Sequence, residues 1–334
     1  MLDTQELSEI TQLLSLNKKI VIITHYNPDG DAIGSSLGLK HFLKTQGLEA
    51  EVIVPNDFPK FLKWMPEARK ITIAEYKRKQ AGEAIYNADV IFCLDFNAAS
   101  RIGFLGDWLT KAKAVKILID HHQQPESFDY VYSDVSIPAT SQMVYHLIEA
   151  LNKENAVNQD VAQCLYTGIM TDTGGFRFRS TSATTHRIVA KLIEKGADSA
   201  EITSNTWDTN TVSRLKLLSL ILGRIELVKE GKVAVLWLKR NELIELGFEK
   251  GDTEGFVNYG LSIAGTQMSA FFMEDLYEDF IKISFRSKAD VDTNQFSRKY
   301  FNGGGHINAS GGKYFKSIEE TIEDFTAFVE QEDF

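Results

Sequence analysis

Residues 19–31 read KIVIITHYNPDGD, and this stretch indicates the fold of the first half of the chain. Residues 19–24 are apolar and rich in β-branched side chains, as in a strand that is buried on both faces. Residues 27–30 form a polar loop, and a helix is predicted over 32–46 because Gly47 suits the position that follows a helix end. A strand, a short loop and a helix in this order are typical of a parallel sheet.

The same alternation continues along the chain. Buried strands are predicted over 50–54, 89–94 and 115–119, and helices over 6–17, 138–152, 158–171 and 182–195. This pattern predicts an α/β fold, with a doubly wound, mainly parallel sheet in a domain of residues 1–198. Residues 199–228 are predicted to form one linker helix. Strands at 232–238, 267–272 and 279–286 and a helix at 317–330 then predict a smaller mixed α/β domain over 229–334.

Composition excludes several classes of protein. Of the 334 residues, 43% are hydrophobic and 25% charged, which is typical of a globular protein. The net charge of −10 argues against a protein that tracks long nucleic acid, because such proteins are normally basic. No apolar run is long enough to span a bilayer and no secretory signal is visible, so we expect a cytoplasmic protein without membrane association. Buried free thiols are expected at Cys93 and Cys164.

Acidic and histidine side chains follow the predicted strands. His25, Asp29 and Asp31 fall within seven residues after the first strand, Asp95 follows the third, and Asp120-His121-His122 follows the fourth. Each group alone also suits a plain structural role, such as an Asx turn, a helix cap or a polar loop. Together they would meet at one edge of a parallel sheet, where such folds form their sites.

These side chains suit metal-assisted chemistry. Aspartate and neutral imidazole are ligands for Mn²⁺ and similar cations, and Asp172, in the run TDTGG, adds another carboxylate. The ligands suffice for two ions, and a pair of metal ions is a common device for cleaving phosphate esters with an activated water. Further along, the glycine run 303–305 precedes His306, and Arg286 closes a predicted strand. Backbone N–H groups and a guanidinium suit a phosphate, although a tight turn between strands is the alternative for the glycines.

The motif set resembles the DHH phosphoesterase family. The resemblance rests on DHH at 120–122, on DGDAIGS at 29–35, on Asp95 and Asp172, and on FNGGGHINASGG at 301–312, which is similar to the DHH-associated C-terminal domain. It covers roughly residues 15 to 325 and implies an active site in the cleft between the two domains.

The resemblance also implies roles. His25, Asp29 and Asp95 would hold one Mn²⁺, and Asp31, Asp95, His121 and Asp172 a second. Asp120 would fix the ring of a ligating histidine, and His122 would face the scissile phosphate. A terminal phosphate of the substrate would be bound by a set of basic and glycine residues, namely Arg286, His306 and the amides of Gly303, Gly304 and Gly305. The close spacing of Arg101 after Asp95 separately makes it a candidate to contact substrate or orient ligands.

Within the family, the size and domain pair resemble the nanoRNases. This implies hydrolysis of short oligoribonucleotides, including pApA, and of 3′-phosphoadenosine 5′-phosphate, by an enzyme whose partners are small nucleotides. A cyclic di-AMP phosphodiesterase, a pyrophosphatase or exopolyphosphatase, and a sensor without hydrolysis stay open as alternatives. Since members of the family often pair through their N-terminal domain, a homodimer is also expected, although no stretch identifies an interface.

Overall fold

The computed structural model describes residues 4–14 and 18–333, and they divide into two compact units between Thr209 and Asn210. The predicted helix over 6–17 corresponds to α1 (Thr4–Leu13), and its last three residues lie outside the described ones. None of the helices in the described ranges is long and apolar enough to cross a membrane.

The first unit is built on a sheet of six parallel strands. The strands are β1 (Ile20–Thr24), β2 (Ala50–Val54), β3 (Thr72–Ile73), β4 (Val90–Leu94), β5 (Val115–Asp120) and β6 (Tyr130–Ser133). Their order across the sheet is β3-β2-β1-β4-β5-β6, so the direction of winding reverses between β1 and β4. The predicted doubly wound sheet is confirmed, and in such sheets ligands bind beyond the strand ends at this reversal.

Helices cover both faces of this sheet, and the central strands β1 and β4 are buried along their whole length. Ile22 and Phe92 belong to one core cluster, and their neighbours Ile23 and Cys93 belong to the cluster on the other face. Besides α1, the described α-helices of this unit are α2 (Gly30–Thr45), α3 (Arg78–Tyr86), α4 (Leu105–Lys111), α5 (Thr140–Ala150), α6 (Gln159–Asp172), α7 (Ala183–Glu194) and α8 (Ser199–Trp207).

Helices α2 and α6 pack at unusually short range because glycines face the contact. A Cβ atom at Gly34 would lie 2.6 Å from the carbonyl oxygen of Cys164 and 2.9 Å from the Cα of Gly168. A Cβ at Gly38 would lie 2.3 Å from a methyl carbon of Leu165. This contact brings Asp172, the last residue of α6, toward the beginning of α2.

The second unit contains a mixed sheet of six strands. They are β7 (Glu226–Val228), β8 (Val233–Leu238), β9 (Met268–Glu274), β10 (Ile281–Ser287), β11 (Gly304–His306) and β12 (Ala309–Tyr314), in the order β11-β12-β10-β9-β8-β7. Only the β8–β9 pair is parallel. The remaining helices are α9 (Val212–Leu222), α10 (Arg240–Glu245), α11 (Thr293–Tyr300) and α12 (Ile318–Glu330).

The prediction of a single linker helix over 199–228 is wrong. That segment forms α8 in the first unit and then α9 and β7 in the second. The break falls where α8 ends and Thr211 caps α9, its hydroxyl accepting a hydrogen bond from the N–H of Arg214 at 2.9 Å. Threonine is a common N-cap residue, and here it begins a new helix inside the segment 199–228 that was predicted to be one helix.

Candidate metal centre

The predicted ligands of the first unit lie beyond the carboxyl ends of β1, β4 and β5. His25 follows β1, Asp95 follows β4, and His121 follows β5. Since β1 and β4 flank the reversal in strand order, the fold brings these side chains to one crevice. Helix α2 then adds Asp31 in its first turn, and α6 adds Asp172 at its end.

One cluster forms around His25. Its Nε2 lies 3.8 Å from Oδ1 of Asp29 and 3.5 Å from Oδ2 of Asp95. The opposite ring nitrogen, Nδ1, lies 2.9 Å from the carbonyl oxygen of Tyr26, so Nδ1 carries the proton and donates it. Such a bond leaves Nε2 as the ring nitrogen that would give up its proton and ligate a bound metal ion.

A second cluster forms around His121. Its Nε2 lies 3.4 Å from Oδ1 of Asp95, 3.5 Å from Oδ2 of Asp172 and 4.0 Å from Oδ2 of Asp31. Its Nδ1 donates to the carbonyl oxygen of Ile137 at 3.1 Å. His25 and His121 are therefore both oriented by a hydrogen bond from Nδ1 to a backbone carbonyl, and each directs Nε2 toward carboxylates.

Asp95 is shared by the two clusters, with Oδ2 on the side of His25 and Oδ1 on the side of His121. Its backbone has φ of 64°, a left-handed conformation that aspartate tolerates better than most residues. The N–H of Asp95 donates to the carbonyl of Ile119 on β5 at 3.1 Å, which fixes this turn at the strand end. The carboxylate thus lies between the two imidazoles.

Asp120 orients a different histidine from the one expected. The ring of His122 donates from Nδ1 to Oδ1 of Asp120 at 2.7 Å, and the backbone N–H of His122 donates to Oδ2 at 3.1 Å. The ring of His121 is instead held by Ile137. Asp120 therefore holds the ring of His122 and not that of His121, because two adjacent residues at a strand end point in different directions and the carboxylate reaches only the second.

The electrostatics of the site call for a cation. Burial would lower the pKa of His25, but the carboxylates of Asp29 and Asp95 outweigh it and raise that pKa to about 10. Burial raises the pKa of Asp172 to about 6 against the opposing charge of His121. Burial, together with the charges of Asp95 and Asp172, also raises the pKa of Asp31 well above its ordinary value. Divalent ions among these side chains would relieve the repulsion and keep the carboxylates ionised.

Two supporting contacts around the site were not predicted from the sequence. In the first, the N–H groups of Thr140 and Ser141 donate to the two carboxylate oxygens of Asp31. In the second, Asn56, which follows β2, accepts from the backbone N–H of Asn27 and donates to its side-chain oxygen. Asn27 has φ of 56°. A threonine and a serine at a predicted helix start were a signal for the first contact, whereas the second joins residues 29 positions apart and has no local signal.

Arg101 lies after β4 in a short 3₁₀ turn, Ala99–Ile102, with an exposed side chain. Its carbonyl accepts the N–H of Tyr26 at 2.8 Å, so the segment after Asp95 braces the one after His25.

In the second unit, Arg286 and His306 occupy one line across the sheet. His306 of β11 and Arg286 of β10 both pair with Ala309 of β12, from opposite sides. Since paired residues share a face, the two basic side chains lie on the same face, two strand spacings or roughly 10 Å apart. The small side chain of Ala309 stands between them.

The backbone amides of Gly303–Gly305 were expected to bind a phosphate, but two of them donate hydrogen bonds within the second unit. The N–H of Gly305 donates to Oδ1 of Asn294 at 3.0 Å, and that of Gly303 donates to the carbonyl of Ser297 at 3.3 Å. A Cβ at Gly303 would lie 1.9 Å from the carbonyl oxygen of Gly311, and Gly305 has φ of 150°. These glycines therefore permit β11 to pack against β12 and α11, and their amides are used inside the unit rather than presented as a row of donors.

Comparison with known proteins identifies the family. Residues 19–169 match the model of the DHH family N-terminal domain, and residues 230–332 match that of the DHHA1 domain. The bifunctional oligoribonuclease and PAP phosphatase NrnA of Thermus thermophilus is 32% identical over 300 residues, which make up 90% of this chain and 85% of that protein. This chain belongs to the DHH family.

Other DHH-family proteins agree with this assignment. The protein of the same name from Bacillus subtilis is 28% identical over 310 residues, covering 92% of this chain and 93% of its own. A crystal structure of an exopolyphosphatase-related protein from Bacteroides fragilis is similar with a TM-score of 0.94 and 40% identity, covering 98% of this chain and 96% of that one. The predicted membership of the DHH family is confirmed.

Proposed function

We propose that this protein hydrolyses short oligoribonucleotides such as pApA to mononucleotides, and 3′-phosphoadenosine 5′-phosphate to AMP, with two Mn²⁺ ions. The observation that carries the proposal is the shared carboxylate of Asp95 between two clusters of metal-type ligands. The similarity to NrnA proteins, named for oligoribonuclease and PAP phosphatase activity, supports the substrate class. A homodimer remains a prediction.

The ligands divide into two sets that share Asp95. His25, Asp29 and Asp95 would hold one ion, with ligand atoms that lie within 4.8 Å of one another. Asp31, Asp95 and His121 form the second set within the same limit, and Asp172 lies 3.5 Å from His121. A mixture of carboxylates and neutral imidazoles suits Mn²⁺. When bound, the ions would supply an activated water and polarise the phosphoryl oxygens.

The remaining residues would act on the substrate itself. With Nδ1 of His122 donating to Asp120, its Nε2 is the ring nitrogen that we assign to the scissile phosphate. The bond to Asp120 fixes the orientation of the ring, so His122 can direct Nε2 toward phosphoryl oxygens on which negative charge develops. In the second unit, we assign Arg286 and His306 to a terminal phosphate of the substrate, because they share a sheet face across the small Ala309.

A second candidate function is hydrolysis of inorganic polyphosphate. It is favoured by the similar Bacteroides fragilis protein, whose description is exopolyphosphatase-related. Both functions would use the same metal centre and differ in what the second unit binds. A chain of phosphates lacks the bases and riboses of pApA, so the two substrates are easily distinguished in an assay.

The test measures AMP released from pApA by the metal-free protein, before and after addition of Mn²⁺, beside 3′-phosphoadenosine 5′-phosphate, cyclic di-AMP, pyrophosphate and polyphosphate. We expect Mn²⁺-dependent turnover of pApA and its loss in Asp95→Asn. Asparagine is the better substitution because it tolerates the left-handed backbone of Asp95, so that folding is preserved. Full activity of Asp95→Asn, or turnover of polyphosphate alone, would overturn the proposal.

A further inference from the structure

The start of helix α5 lacks a cap of its own. Its N-cap residue is Ala139, which has no side-chain acceptor for the first N–H groups of the helix. Asp31 takes that place from α2, with Oδ2 accepting the N–H of Thr140 at 2.6 Å and Oδ1 accepting that of Ser141 at 2.9 Å. A carboxylate is well placed at a helix start, where the unpaired N–H groups and the helix dipole both favour negative charge.

The side chain of Thr140 makes a second contact in the same place. Its hydroxyl donates to Oδ1 of Asp95 at 2.9 Å, and the residue is fully buried. Thr140 therefore contacts two of the proposed metal ligands at once, Asp31 through its backbone and Asp95 through its side chain. Nothing in the local sequence around Thr140 indicates this double contact, because the two aspartates belong to distant segments.

The contact with Asp95 is one-sided. The oxygen that accepts the Thr140 hydroxyl is Oδ1, which faces His121, whereas Oδ2 faces His25. A hydrogen bond to one carboxylate oxygen fixes the rotation of the group and occupies one of the two lone pairs of that oxygen. Without the hydroxyl, Oδ1 would turn toward other donors, and the ligand set around His121 would lose its alignment.

We propose that Thr140 is a positioning residue that selectively supports the ion held by Asp31, Asp95, His121 and Asp172. This inference rests on the proposed two-ion function. The ion held by His25 and Asp29 depends on Thr140 much less, since it uses the opposite oxygen of Asp95 and two ligands that Thr140 does not contact. Loss of a partner that orients a metal ligand typically lowers metal affinity by about 10- to 100-fold.

The experiment titrates Mn²⁺ into metal-free wild type and variants, with calorimetry for affinity and electron paramagnetic resonance for the number of bound ions. Thr140→Val removes the hydroxyl at constant shape and keeps the N–H that Asp31 accepts, while Thr140→Ser keeps the hydroxyl. Asp172→Asn and Asp29→Asn identify which binding step belongs to which ion. We expect Thr140→Val to weaken the Asp172-dependent step by about 10- to 100-fold, to leave the Asp29-dependent step nearly unchanged, and Thr140→Ser to restore wild-type binding.

If Thr140→Val weakens Mn²⁺ binding equally at both steps, or at neither step, the inference about Thr140 is overturned while the two-ion function stands. Wild-type protein that binds fewer than two ions overturns both. Unfolding in urea verifies that each variant is folded before titration. If Thr140→Val does not fold, Thr140→Ala serves in its place, because it removes the hydroxyl without placing a methyl group against the Asp95 carboxylate. The same two outcomes then decide.

Discussion

Replacing Gly34 with alanine tests whether the close packing of α2 against α6 sets the metal centre. The new Cβ would lie 2.6 Å from the carbonyl oxygen of Cys164 and 2.9 Å from the Cα of Gly168. Both neighbours are backbone atoms, so no side chain can turn away. To regain an ordinary separation of about 3.5 Å, the helices would have to part by roughly 1 Å.

The expected cost follows from two opposing effects. Overpacking a core typically destabilises the folded protein by about 1–3 kcal/mol. Replacing glycine with alanine within a helix stabilises it by about 0.5–1 kcal/mol. We therefore expect Gly34→Ala to lower the free energy of unfolding by about 1–2 kcal/mol. The larger effect falls on the metal centre, because Asp172 ends α6 while Asp29 and Asp31 begin α2. A misplacement of about 1 Å in a catalytic site can cost about 100-fold in rate, so Mn²⁺-dependent hydrolysis should fall by about 100-fold.

Gly82→Ala is the matched control in the same unit. Gly82 is also a buried residue inside a helix, but a Cβ there would meet only the ring of Trp108 at 3.7 Å, an ordinary contact. We expect this variant to be as stable as wild type or slightly more stable, with full Mn²⁺ affinity. Urea unfolding, Mn²⁺ calorimetry and pApA hydrolysis are measured on both variants. Unchanged stability and Mn²⁺ affinity in Gly34→Ala would refute the reasoning.

Three further predictions concern other contacts. Asn56→Ala removes both hydrogen bonds that hold Asn27 in the loop before α2. Mn²⁺ titration should then show an affinity about 10- to 100-fold lower at the binding step that depends on Asp29. An unchanged affinity at that step would contradict the prediction. Ala309→Leu fills the space between Arg286 and His306 on the sheet face. Steady-state kinetics on pApA should show KM raised by about tenfold, which corresponds to about 1.4 kcal/mol, while the Mn²⁺ affinity stays unchanged. An unaltered KM would exclude this face as the phosphate site. Glu67 accepts from Lys40, Lys70 and Lys44, which hold its pKa well below its ordinary value. Its stabilisation is therefore present above the unfolded pKa near 4.3 and lost as the pH falls toward the folded pKa. Glu67→Gln should cost about 1 kcal/mol at pH 7, after allowance for solvent screening, and the difference from wild type in urea unfolding should shrink below pH 4; a constant difference would argue against an ionic origin.

The parts of the fold that were predicted from sequence are those whose signal is local. Strands β1, β4 and β5 are continuous apolar runs, and the ligands that follow them needed only the rule that parallel strands end at one edge. Helices α3 and α4 were not predicted, because their apolar residues are few and mixed with glycine and charge. Strand β12 contains Gly311 and Gly312, which indicated a loop rather than a strand.

The parts of the site that were not predicted are those set by contacts between distant segments. The partner of the His121 ring is a backbone carbonyl 16 residues away, and that of Thr140 is a carboxylate 45 residues away. The sequence supplies each residue but not the distance between them. The residue pattern alone did not divide the roles of His121 and His122, and only the family resemblance implied that the first binds metal and the second faces the substrate.

The capping of α5 by Asp31 has a consequence for how inactive variants are interpreted and for how this protein can change in evolution. A substitution at Asp31 that removes a proposed metal ligand also removes the cap of a helix. Loss of activity there would combine a chemical and a folding defect, so Asp172 is the better position for an inactive variant. A descendant chain that no longer hydrolyses anything would still be selected to keep an acidic residue at position 31, whereas position 172 would be free to drift.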